Sequence, residues 1–240
     1  MFKDLKAGWN ARSYAAQDGS TLLFQLHMPE NYDADRRYPM LVFMHGAGSR
    51  CDDNSHIFST YATFLRKFES GEYRDEAIVL APCCPKTASW VQRRERGQTT
   101  FDFTVAPTVC MQAVIELLDA VQDALSVDTS RLYLYGNSMG AAATWELLSR
   151  FPERFAAAVP AAGLGDPHFA AEFCNTPIWI FHGDADKTVP YECSVLLHDA
   201  LLAAGGTNVQ FTTLPGAGHN IWPAVSDTDG LFAWIFAQRL

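Results

Sequence analysis

No stretch of the 240-residue sequence approaches the roughly 20 uninterrupted apolar residues that a membrane helix needs. The first residues, Met1-Phe2-Lys3-Asp4-Leu5-Lys6, lack the apolar centre of a secretory leader. As it stands the chain reads as soluble and cytoplasmic, with no membrane partner; it would be secreted if a leader had been removed. Cations are also scarce: 18 Lys and Arg face 27 Asp and Glu, a net charge of −9 with an isoelectric point near 5.2. The one short basic cluster is Arg93, Arg94 and Arg96, which is too little to hold a phosphate backbone, so nucleic acid is not an expected partner. The six cysteines form no C-x-x-C pair, and Cys83 and Cys84 are adjacent rather than spaced as in a small disulfide framework. They are expected to be mostly reduced, buried small hydrophobes. No H-E-x-x-H or comparable metal spacing occurs, and no repeat, low-complexity tract or Pro/Gly/Ser-rich linker divides the chain. A single domain over 1–240 is expected.

What the chain does have is apolar material, 48% of its residues, arranged in short runs. Asp18-Gly19 separates two strand-like runs between Ser13 and Met28, the signal of an antiparallel hairpin at a sheet edge. Continuous runs follow at Met40 to Met44, Ala77 to Ala81, Leu132 to Tyr135, Ala156 to Val159, Ile178 to Phe181 and Val209 to Leu214. Such runs suit parallel strands buried on both faces. Helical patterns lie between them at Thr108 to Leu125, Ala141 to Arg150 and Tyr191 to Ala204, the last closed by Gly205-Gly206. Alternation of strand and helix predicts an α/β fold with a mostly parallel central sheet, helices on both faces and an antiparallel N-terminal edge. The long irregular segment Lys86 to Pro107 falls where such sheets meet ligands and is expected to shape a pocket.

Chemistry concentrates at Gly136-Asn137-Ser138-Met139-Gly140, a G-x-S-x-G pattern between the run ending at Tyr135 and the helix starting at Ala141. A sharp turn there would lift the Ser138 hydroxyl out of the sheet and aim helix amides at a developing oxyanion. A serine hydroxyl needs a base and an orienting carboxylate. After Phe181 comes His182-Gly183-Asp184-Ala185-Asp186, and after Leu214 comes Pro215-Gly216-Ala217-Gly218-His219. The order is nucleophile, acid, base, with Asp184 and Asp186 both open as the acid. His219 stands out among seven histidines by its place in a Gly-rich loop after the last strand. His45 and His182, each before a glycine at a strand end, read as loop supports.

These motifs, together with His45-Gly46-Ala47-Gly48, Ala81-Pro82-Cys83-Cys84-Pro85 and Gly218-His219-Asn220-Ile221-Trp222, resemble the small, lidless α/β-hydrolases of the predicted-esterase, phospholipase/carboxylesterase and dienelactone-hydrolase group, which includes feruloyl and acetylxylan esterases. The resemblance runs from about Pro39 to the C-terminus and implies an α/β-hydrolase fold without a large lid. It selects Asp186 through His182-Gly183-x-x-Asp186-x-x-Val189-Pro190, leaving Asp184 as a turn residue. It implies oxyanion donors at the Ala47 and Met139 backbone amides. Trp90 and Trp222 are candidate walls of the substrate pocket, whereas Trp145 is in helix phase with Ala141 and Leu148 and reads as core. Dienelactone hydrolases use a Cys nucleophile, so Ser138 favours ordinary ester cleavage. The expected function is a serine carboxylesterase for short-chain acyl or feruloyl-type esters with no metal or organic cofactor. The expected partner is a small-molecule ester, with plant cell-wall esters as the candidate source. The alternatives are a peptidase or amidase with the same triad, and a catalytically silent binding protein.

Overall fold

Each apolar run becomes a strand; those inside the sheet are covered on both sides, whereas the last, Val209–Leu214, lies at the open edge and is only partly buried. The computed structural model describes residues 1–240 except 56, 57, 59, 70–72, 74, 75, 94 and 96; Arg94 and Arg96 of the basic cluster therefore lie outside the described residues. The strands are β1 (Gly8–Ala15), β2 (Thr21–Met28), β3 (Tyr38–Met44), β4 (Ile78–Cys83), β5 (Val127–Asn137), β6 (Ala157–Ala161), β7 (Ile178–Gly183) and β8 (Val209–Leu214). They form one sheet in the order β1-β2-β4-β3-β5-β6-β7-β8. The pairs β1/β2 and β2/β4 are antiparallel and every later pair is parallel, so the hairpin at Asp18-Gly19 does form the antiparallel edge.

Period two splits each buried strand between two cores. Met40, Val42, Met44, Leu132 and Leu134 face α2 (Val109–Ala124), α3 (Met139–Arg150), α4 (Ala170–Phe173) and α5 (Glu192–Ala203). Leu41, Phe43, Tyr133 and Tyr135 face the other side, covered by α1 (Ala62–Glu69), α6 (Trp222–Ser226) and α7 (Leu231–Ala237). The helices α2, α3 and α5 match the sequence patterns; α1, α6 and α7 were not read from sequence. Trp145 is buried, as its helix phase requires. No helix among the described residues is long and apolar enough to cross a membrane.

The expectation of mostly reduced, buried cysteines holds for four of the six and is corrected for the other two. Cys51 and Cys83 form a disulfide, while Cys84, Cys110, Cys174 and Cys193 are free and buried. The pair meets because β3 and β4 are neighbours in the sheet: Cys83 ends β4, Cys51 follows the turn after β3, and their Cα atoms stand 6.3 Å apart. Its neighbour Cys84 turns the other way, into the core against Cys110, with the sulfurs 3.9 Å apart.

Candidate active site

Ser138 sits between the end of β5 and the start of α3, with φ 56° and ψ −118°, a conformation unfavourable for any residue but glycine. Its N–H is anchored to the Ala161 carbonyl of β6 at 2.8 Å. The turn is tight enough to forbid a side chain on either flanking glycine. A Cβ on Gly136 would lie 2.2 Å from the Gly140 carbonyl oxygen, and one on Gly140 would lie 1.9 Å from that of Met44.

The imidazole of His219 reaches Ser138 from the loop after β8. Its Nε2 is 2.8 Å from Ser138 Oγ and its Nδ1 is 2.6 Å from Asp186 Oδ2. A carboxylate only accepts, so Nδ1 carries the proton and Nε2 is left to accept from the hydroxyl. The Asp186 side chain is fully buried, and its other oxygen accepts the Thr188 and Val189 amides at 2.8 and 3.0 Å. Burial opposes the carboxylate charge, but the hydrogen bonds from His219, Val189 and Thr188 outweigh it and hold the Asp186 pKa below its usual value. Asp184 is exposed and caps the neighbouring turn by accepting the Gly216 amide at 2.6 Å. The acid and histidine loops are stitched together by Ala185 N–H to Ala217 O at 3.0 Å, and a Cβ on Gly183 would come within 2.3 Å of that same oxygen.

His182 is wholly buried behind this pair. Its Nε2 lies 3.1 Å from the Val189 carbonyl and 3.3 Å from Asp186 Oδ2, and its Nδ1 lies 2.7 Å from Ser194 Oγ. His45 is also buried; its Nε2 accepts the Cys84 amide at 2.9 Å and its Nδ1 faces the Gly46 carbonyl at 2.8 Å. With Tyr61, whose hydroxyl accepts the Gly46 amide at 2.8 Å, it fixes the loop carrying Ala47. Tyr61 was not singled out in the sequence, and no motif marks it. The Ala47 and Met139 amides donate to no other described residue.

Ala47, Ser138 and Met139 open onto a cavity of about 630 Å³. The segment between β4 and α2 contributes Ser89, Val91 and Phe101 to its lining, which also includes Leu164 and Val189. Trp90, expected as a pocket wall, is instead fully buried, donating Nε1–H to the His45 carbonyl at 3.0 Å. The chain bends there, with Ser89 and Val91 on the cavity and Trp90 between them turned into the core. Trp222 does not line the cavity either. It packs edge-on against His219, ring centroids 5.5 Å apart, and near Tyr61 at 6.2 Å.

Comparison with known proteins agrees with this architecture. Residues 31–226 match the phospholipase/carboxylesterase family model. The chain is 26% identical to an acyl-protein thioesterase 1 of Neurospora crassa, the match covering 77% of this chain and 81% of that one. It is also 26% identical to a bifunctional acetylxylan esterase/xylanase of Neocallimastix patriciarum, over 75% of this chain but 23% of the relative. A crystal structure of a thermostable esterase superposes with a TM-score of 0.86 at 30% identity, covering 97% of this chain and 63% of that one. The chain thus spans less than two thirds of two of these relatives. With a sheet of this topology and a family model matched along most of its length, the chain belongs to the phospholipase/carboxylesterase family of α/β-hydrolases.

Proposed function

We propose that the protein is a serine carboxylesterase hydrolysing short-chain acyl or hydroxycinnamoyl (feruloyl-type) esters through Ser138, His219 and Asp186. The observation that carries this reading is the unbroken hydrogen-bonded chain, 2.8 Å and 2.6 Å long at its two links, that ends on a serine facing a cavity. Ser138 Oγ attacks the ester carbonyl carbon while its proton passes to His219 Nε2. The Ala47 and Met139 amides stabilise the oxyanion, each such donor being worth about 100-fold to 1000-fold in turnover. Collapse expels the alcohol, which takes the proton from His219, and leaves an acyl-enzyme. Water then attacks the acyl carbon as His219 removes its proton, and that proton returns to Ser138 as the acid departs. Asp186 stays ionised and holds the imidazole in one tautomer. No metal or organic cofactor takes part.

The substrate class rests on the kind of relatives found. One is named for acetylxylan and one for acyl-protein thioesters, so cell-wall acyl esters are the first candidates and thioesters the competing class. As for compartment, disulfides persist in oxidising surroundings, and the Cys51 to Cys83 bond favours a secreted enzyme over the cytoplasmic one expected from sequence.

Hydrolysis of p-nitrophenyl acetate, butyrate and octanoate and of methyl ferulate, with and without Ser138→Ala, tests the reading. Short-chain or feruloyl turnover should fall at least about 1000-fold in the variant. Turnover that survives the substitution, or a preference for octanoate or for aminoacyl anilides, would remove it.

A further inference from the structure

The cavity in front of Ser138 has a charge balance opposite to that of the whole protein. Acidic residues outnumber basic ones 27 to 18 along the chain, yet Arg50 and Arg93 line the cavity and, among the described residues, no Asp or Glu does. Arg50 is half-buried and held in place by neutral partners: its Nε donates to the Ala47 carbonyl at 3.0 Å and one Nη to the Ala88 carbonyl at 3.1 Å. Two of its five N–H groups are thereby used, and no carboxylate of a described residue lies within ion-pair distance. Arg93 is exposed at the rim and bonds to no described residue. The carboxylate closest in role, Asp186, is buried away from the cavity and saturated by His219, Thr188 and Val189.

A guanidinium clamped by two carbonyls and lacking a counter-charge is a preorganised fork for an anion. A neutral ester would leave its remaining N–H groups to water, whereas a carboxylate would take them in pairs. The same cavity is also lined by the apolar Phe101, Leu164 and Val189, which suit the hydrocarbon part of the same molecule.

We propose that the substrate is an ester bearing a carboxylate away from its reacting carbonyl, and that Arg50 and Arg93 select it. The inference rests on the esterase reading above and narrows its substrate class. Two matched pairs test it: mono-p-nitrophenyl adipate against p-nitrophenyl hexanoate, with the anion in the acid part, and 4-acetoxybenzoate against its methyl ester, with the anion in the alcohol part. The readout is the ratio of kcat/KM for the anionic member to that for the neutral member at low ionic strength. Taking a ratio cancels any general damage done by loosening Ala47.

The intact protein should favour the anionic member of at least one pair, and added salt should erode that preference. Arg50→Gln or Arg93→Gln should lower the ratio roughly tenfold or more, the factor that one charge-assisted hydrogen bond is worth. No anionic preference in either pair, or a preference that survives both substitutions and salt, overturns the inference while leaving the esterase intact. If Arg50→Gln does not fold, Arg93→Gln and the salt series decide alone. Absence of Ser138-dependent turnover of the neutral esters would instead sink the esterase reading itself.

Discussion

His182 works at one remove from the reacting atoms. It is buried between the Val189 carbonyl and Asp186 on its Nε2 side and the Ser194 hydroxyl on its Nδ1 side. Burial lowers its pKa below the ordinary 6.5, against the opposing pull of the Val189 carbonyl and Asp186. A histidine whose folded pKa is depressed contributes stability in full above its unfolded pKa and loses it as pH falls towards the folded value. The difference in unfolding free energy between the intact protein and His182→Gln should therefore narrow between about pH 7.5 and about pH 5.5. Paired urea titrations measure this, and comparing the two proteins removes the carboxylates, such as the buried Glu146 whose pKa burial raises, that titrate in both. A constant difference would mean that His182 does not resist protonation.

The element on which the site depends is the unit made of β5, the elbow at Ser138 and α3. Gly140 packs directly on the end of β3, where an added Cβ would sit 1.9 Å from the Met44 carbonyl oxygen. Backbone cannot rotate away as a side chain can, so Gly140→Ala should destabilise the protein by about 3 kcal/mol or more. Chemical denaturation checks this, and a loss below about 1 kcal/mol would show that strand and helix can part without cost. Elements were legible in sequence to different degrees. Buried parallel strands such as β3 and β7 declare themselves because both faces must be apolar. The helices α1, α6 and α7 are short, at 8, 5 and 7 residues, and form where their aromatic residues can cover the Tyr133 and Tyr135 face of the sheet. Short helices draw most of their stability from packing, and local periodicity carries little of that information.

Across the whole molecule, the disulfide joins two segments 32 residues apart and ties the loop that follows β3, with Ala47 in it, to the end of β4. Replacing both cysteines, Cys51→Ala with Cys83→Ala, should lower the unfolding free energy by about 3 to 4 kcal/mol through the extra freedom of the open loop. Calorimetry with and without a thiol reductant measures this. Reductant should shift the intact protein towards the variant and leave the variant unchanged.

Local sequence was enough for the alternation of strand and helix, the strained serine turn and the Ser, Asp, His order, because each is encoded within a few residues by periodicity or by a glycine that must be there. Choices between distant partners were not. The residues by themselves left Asp184 and Asp186 open, and a family resemblance was needed to choose; in the fold Asp186 meets His219 across 33 positions and His219 meets Ser138 across 81. Sequence likewise could not say that Trp90 turns inward while Ser89 and Val91 face the cavity, that Cys51 pairs with Cys83, or that Arg50 has no counter-charge among the described residues. Those outcomes depend on which strands become neighbours and which way a bent connection turns its side chains, and only the closed chain brings the competing partners to one place.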